Sequence, residues 1–415
     1  MSAIPIDRAR SAERIERDIE ALAGPEYTSS TAAIRRYAYI DVYRNTLAYF
    51  TRALEELGFT VEYDPVGTLV ARNHPPGAQA FGVGSHCDSN RDGGKYDGTL
   101  GVVTALEVCR LNGELGLDLP LRLISFLEEE GSGFGQVLLG SRIVAQRVSE
   151  EDLRERFRAI DDGRPFWTHA EDAGYEPARW RNAVQILDGL TGWIEAHIEQ
   201  ARVLQDTGNR IGVVSAIAGI SHGDVVVEGR ADHAGGTPMD MRLDAAVVAA
   251  EFVLEARRLA RDAGAGTVAT VGEVEIEPGV INVIPRRARA SLDVRSVDQS
   301  TLERLPRELA EFARARATDS GMAAEYRERQ VMAATPMDER VVGALDEAAR
   351  AAGEPHLVMA SGGAHDTMVI ADRVPSAMVF VPCKDGISHS PEESADPADA
   401  ALAAEVMLNA LVSLR

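Results

Sequence analysis

Hydrophobic positions along the chain switch between two periods. Residues 10–23 and 40–57 carry apolar side chains at helical spacing. Short strand-like runs follow at 60–63, 69–71 and 80–84, then a helix at 101–111 and a buried strand at 121–126. Strand runs separated by helices predict an α/β layer fold with a partly parallel sheet.

The pattern changes after residue 210. A Val- and Ile-rich stretch spans 211–228, and a helix is expected at 245–263. Strands are expected at 266–274 and 288–295, a helix at 301–318 and an extended run at 323–330. The order β-α-β-β-α-β is the ferredoxin-like signature. Alternation of helix (341–352, 397–414) and strand (376–382) then resumes. The expected organisation is one catalytic domain built from 1–210 and 331–415, interrupted by an inserted domain at 211–330.

Length agrees with this, since 415 residues exceed one ordinary core and suit two domains. A net charge of −22 argues against nucleic acid and anionic membranes as partners. No stretch reads as long and apolar enough for a bilayer, and the charged N-terminus lacks a signal-peptide core, so a cytoplasmic location is expected. Cys87, Cys109 and Cys383 form no CxxC pair, which disfavours a disulfide framework or thiolate metal site. Cys87 is a weak candidate nucleophile, because no basic group is dedicated to it.

Candidate chemistry concentrates after predicted strands. Residues 84–98 read GSHCDSNRDGGKYDG. His86 and Asp88 are two apart and share a side of an extended chain. Asp97 sits in a glycine-rich loop that can turn its carboxylate back toward His86. A capped helix start explains each residue singly, but not the set.

SFLEEEGS at 125–132 places three carboxylates at the end of a buried strand. Desolvated there, they repel unless cations or protons compensate. A metal pair would compensate, with one carboxylate as ligand and its neighbour as proton acceptor. WIEAHIEQ at 193–200 brings in His197, and GISHSPEE at 386–393 brings in His389. Each histidine alone is more often structural. Imidazoles with carboxylates and no thiolate suit Zn, Mn, Co or Ni.

These motifs, together with DHAGGTPM, GVINVIP and LDVRS, resemble the hydantoinase/carbamoylase family of amidases, a branch of the bimetallic aminoacylase and carboxypeptidase superfamily. The resemblance runs from about residue 30 to the C-terminus. It implies an α/β/α metallohydrolase domain with an inserted lid or dimerisation domain, and two divalent ions per subunit. Asp97 would bridge them, with His86 and His197 binding one each and Glu130 and His389 completing the set. Glu129 would be the general base, and Asp88 would orient His86.

By the same resemblance, His233 would stabilise an oxyanion and reach a partner subunit's site, implying a homodimer. Asn282 and Arg295 would bind a substrate carboxylate, and Gln200 and His365 would line the pocket. The implied reaction is hydrolysis of a linear C–N amide bond in an N-carbamoyl-L-amino acid or a ureido compound such as allantoate. An N-acyl-amino-acid amidase or dipeptidase is the alternative on the same scaffold, and a metal-binding protein without catalysis is an alternative of another class. Gly133, Ala201-Arg202 and Ile220 depart from the family pattern near the expected pocket.

Overall fold

The computed structural model describes residues 4–415, which divide into two compact units. The first comprises residues up to Ser215, Met337–Met359 and His365–Arg415; the second comprises Ala216–Pro336 and Ala360–Ala364. The chain has a mixed α/β fold.

The first unit is built on a mixed sheet. Its strands run in the order Thr60–Tyr63, Leu69–Arg72, Leu121–Phe126, Ala80–His86, Leu190–Ile198, Ser376–Val381 and Ile211–Ile217. Leu121–Phe126, Ala80–His86, Leu190–Ile198 and Ser376–Val381 are mutually parallel. They are buried almost throughout, as parallel strands covered on both faces are. Their carboxyl ends share one edge of the sheet, where open α/β sheets place their chemistry. At Gly84 an added Cβ would run into the carbonyl oxygen of Ile124, so only glycine lets these two strands approach.

Helices Arg8–Leu22, Thr99–Glu114, Glu339–Ala352 and Pro397–Leu414 pack together against this sheet. Asp338 and Asp396 start the last two by accepting hydrogen bonds from first-turn amides. Pro397–Leu414 corrects one sequence expectation, because by length and composition it could cross a bilayer. Its apolar character has a structural cause: Ala401, Leu402, Met407 and Leu408 are fully buried in the core.

The second unit has a wholly antiparallel sheet in the order Ala323–Met332, Gly219–Glu228, Arg287–Ser296 and Thr267–Thr270, with Val274–Glu277 also pairing to Arg287–Ser296. Helices Ala245–Ala263 and Gln299–Asp319 cover one face through Phe252, Leu305 and Leu309. Ala288, Ala290, Leu292 and Val294 point into that core, and Arg287, Arg289, Asp293 and Arg295 alternate with them. The strand expected at 266–274 is two short strands separated by residues 271–273, where the Glu273 amide bonds the Ser291 hydroxyl while its carbonyl still accepts the Ser291 amide.

Candidate metal centre

Four strand ends deliver the site in the first unit. His86 is the last residue of its strand, and His197 lies one residue before the end of the neighbouring parallel strand. Glu128–Glu130 follow Phe126, which is paired with His86 in the ladder. His389 follows Val381 through a short turn at Lys384–Gly386, and itself has φ 56°. Asp97 precedes the helix Thr99–Glu114. Gly98 between them has φ 60°, and a Cβ there would overlap the His86 ring.

Asp97 is the centre of the arrangement. Its Oδ1 lies 3.2 Å from His197 Nε2 and 3.7 Å from His86 Nε2. Its Oδ2 lies 3.4 Å from His389 Nε2, which is also 3.4 Å from Glu130 Oε2. The carboxylate therefore shares two ligand groups, His86–Asp97–His197 and Asp97–Glu130–His389. The resemblance assigned one of the imidazoles His86 and His197 to each ion, and the geometry corrects this. The two rings end adjacent parallel strands, so their Nε2 atoms face each other at 3.4 Å on the same side of Asp97.

The donor set fits divalent metal ions. Zinc-type bonds of about 2.0–2.2 Å put ligand atoms roughly 3.4 Å apart around a tetrahedral ion, close to the separations above. Glu130 Oε1 is buried without a hydrogen-bond partner, as expected of an oxygen reserved for a cation. Burial pushes the Glu129 and Glu130 carboxyls well above their ordinary range, aided by each other's charge at Glu129 and by Asp97 at Glu130. Burial also opposes ionisation of Asp97, yet His197, His86 and His389 hold its carboxyl well below the usual range.

Glu129 stands apart from both groups, with Oε2 3.8 Å from His86 Nε2. Asp88 ties the pieces together. One oxygen faces His86 Nδ1 at 3.3 Å and accepts the Glu129 amide at 3.1 Å, while the other accepts the Glu130 amide at 3.0 Å. Gln200 donates to Asp97 Oδ2 at 2.9 Å. His365 is buried, with its ring 4.6 Å from that of His197. Burial, then the nearby His197, keeps its imidazole well below the ordinary basicity.

Two supporting residues had no role in the sequence reading. Ser388 donates to Asp97 Oδ2 at 2.8 Å. Glu393 accepts the amides of Tyr96 and Asp97, both at 2.8 Å, and so fixes the loop that aims Asp97. Burial and the Asp97 charge push Glu393 up to about 7. Both lie inside GISHSPEE, where the signal was hydroxyl and carboxylate groups flanking His389, but their targets are almost 300 residues away. Cys87 is fully buried and its thiol is pushed up by burial, which removes it as a nucleophile. All three cysteines are free.

His233, Asn282 and Arg295 belong to the second unit. His233 Nδ1 accepts the Gly235 and Gly236 amides at 3.1 and 3.0 Å, which leaves the ring proton on Nε2. The Ala234 amide donates to the Asn282 carbonyl at 3.0 Å, so the two loops run side by side. Arg295 bonds Asp293, with Nη2 3.1 Å from Oδ2, and donates through Nη1 to the Gly362 carbonyl at 2.8 Å.

Residues 80–413 match the family model for Peptidase family M20/M25/M40. The chain belongs to the M20 family. Within it, the protein falls in the hydantoinase/carbamoylase branch. It is 35% identical over 408 residues to the N-carbamoyl-L-amino-acid amidohydrolase of Paenarthrobacter aurescens, covering 97% of this chain and 98% of that one. It is 30% identical over 370 residues to the allantoate amidohydrolase of Bacillus subtilis (strain 168), covering 88% and 89%. A crystal structure of a hydantoinase/carbamoylase family amidase from Burkholderia multivorans superimposes with a TM-score of 0.89 at 30% identity, covering 99% of this chain and 98% of that one. This M20 member is therefore an amidohydrolase, a metallohydrolase that cleaves linear amide C–N bonds.

Proposed function

We propose that the protein hydrolyses N-carbamoyl-L-amino acids or closely related ureido compounds, with two divalent ions held at the ligand groups that share Asp97. The observation that carries the reading is the buried Glu129 carboxylate beside two ligand groups joined by one carboxylate. Ions bound there supply Lewis-acid polarisation of the scissile carbonyl and acidification of a water. Glu129 accepts the proton of the attacking water at Oε2 and returns it to the leaving nitrogen. Asp88 holds the Glu129 and Glu130 backbone and the His86 ring in one geometry.

In this reading Arg295 and Asn282 bind the substrate carboxylate, while Gln200 and His365 line the pocket. The Nε2 proton of His233 serves as an oxyanion donor. The second unit, whose strand order is ferredoxin-like, acts as lid and dimerisation domain, and the working species is a cytoplasmic homodimer. The family-atypical Gly133, Ala201 and Ile220 favour one second reading, an N-acyl-amino-acid amidase or dipeptidase on the same scaffold.

The deciding experiment uses chelated enzyme reloaded with Zn²⁺, Mn²⁺ or Co²⁺ and a panel of N-carbamoyl, N-acetyl and dipeptide substrates plus allantoate. Metal-dependent release of ammonia from a ureido compound is the expected result. Cleavage of acyl or peptidyl substrates alone would transfer the protein to the second reading.

A further inference from the structure

A cavity lies beside the edge strands of the first-unit sheet. Strands Leu69–Arg72 and Leu121–Phe126 pair antiparallel, and their register sets Arg72 directly opposite Arg122. Directly opposed residues share a face of the sheet with Cβ atoms about 4.5–5.5 Å apart, and like charges there are destabilising. Both arginines line a cavity of about 710 Å³, together with Tyr63, Asp64, Tyr175 and Arg179.

The two guanidiniums are compensated unequally. Arg72 has a carboxylate partner, donating to both oxygens of Glu62 at 3.2 and 3.3 Å. Arg122 is only 5% exposed and donates through Nη1 to the carbonyl oxygens of Ile186 (2.6 Å) and Asp188 (2.9 Å). Among the described residues no carboxylate forms an ion pair with it. A cation this far out of water, facing a like charge, is a costly arrangement unless an anion completes it.

The carboxylates around the cavity do not fill that role. Glu62 is engaged by Arg72, and Glu176 pairs with Arg179 at 3.1 Å. One oxygen of Asp64 accepts the amides of Val66, Gly67 and Thr68. Asp188 approaches Arg122 through its backbone carbonyl.

We propose that this cavity binds a small anion, a carboxylate or a phosphate, through Arg122 and Arg72. The site is separate from the metal centre. Arg122 and Phe126 are four residue steps, about 13 Å of strand, apart, and the Glu128–Glu130 carboxylates come after that.

Isothermal titration of the metal-loaded enzyme with inorganic phosphate and, separately, with benzoate tests this. Saturable one-site binding of at least one probe is expected. Phosphate alone, or benzoate alone, identifies the head group. Arg72→Gln and Arg122→Gln should each weaken that binding about tenfold or more, the usual effect of losing a charge-assisted hydrogen bond, and leave probe-free kcat/KM unchanged. The metal centre also attracts anions, so the variants decide: undiminished affinity in them places the anion elsewhere and overturns the proposal. Absence of saturable binding of either probe overturns it too. Arg122→Gln loses the bonds to Ile186 and Asp188 and can disturb folding; in that event Arg72→Gln, nearer the surface, decides alone.

Discussion

Asp88 offers the sharpest test of how the metal centre is held. Its two oxygens accept the amides of Glu129 and Glu130, and one of them also faces His86 Nδ1 at 3.3 Å. Asp88→Ala removes all three contacts with one change. Each buried amide left without an acceptor costs about 1–3 kcal/mol, so the metal-free protein should lose about 2–6 kcal/mol. The His86 ring then keeps only the Asp88 backbone carbonyl, 3.2 Å from Nδ1, and metal binding should weaken by about tenfold, the low end of the effect of losing a partner that orients a ligating histidine. Asp88→Asn keeps one acceptor oxygen and turns a donor toward the other amide, so it should show about half the stability loss. Urea unfolding of chelated protein reads the amide contribution. Competition with a chromophoric chelator reads metal affinity. An unchanged urea midpoint in Asp88→Ala would refute the bracing of the backbone. Unchanged metal affinity would refute the orientation of His86, even if stability fell.

Glu129→Gln should lower kcat by about 10²–10⁴-fold while metal content stays normal by elemental analysis; retained turnover rejects Glu129 as the base. Arg295→Ala should cut kcat/KM about 10- to 100-fold for substrates with an α-carboxylate, and a matched substrate lacking that carboxylate should be unaffected. Asp64 gives a pH prediction, because burial pushes its carboxyl up to about 6 in the folded state, against about 3.9 in an unfolded chain. The folded state therefore binds this proton first. Stability should rise by up to about 3 kcal/mol as pH falls from 7 toward 4, and Asp64→Asn should flatten that part of the urea-midpoint profile.

Much of this was legible in the sequence where a single strand carried the information. Strand-like runs at 121–126 and 376–382 marked two of the buried strands, and polar residues just past them marked ligands. What stayed hidden depends on which strands become neighbours. His86 and His197 meet only because their strands pair, a fact absent from local spacing. Glu393 looks like an ordinary acidic loop residue until its bonds to the Tyr96 and Asp97 amides are seen. The stretch between the triple glutamate and Leu190 is made of short turns of helix such as Phe166–Asp172 and Pro177–Leu187, too short to leave a hydrophobic period.

The position of Ser376–Val381 between Leu190–Ile198 and Ile211–Ile217 has a consequence during synthesis. This strand leaves the ribosome after both of its neighbours. At about 5–20 residues per second, the growing chain spends roughly 10 s or more with the apolar edges of both neighbours open. Open edges of this kind are templates for aggregation, so the nascent protein depends on being shielded until residue 381 emerges. The same order acts as a check on completeness. A product cut short before residue 389 lacks His389 and can offer at most the His86–Asp97–His197 group, so a full second ligand group exists only once residue 389 has been made.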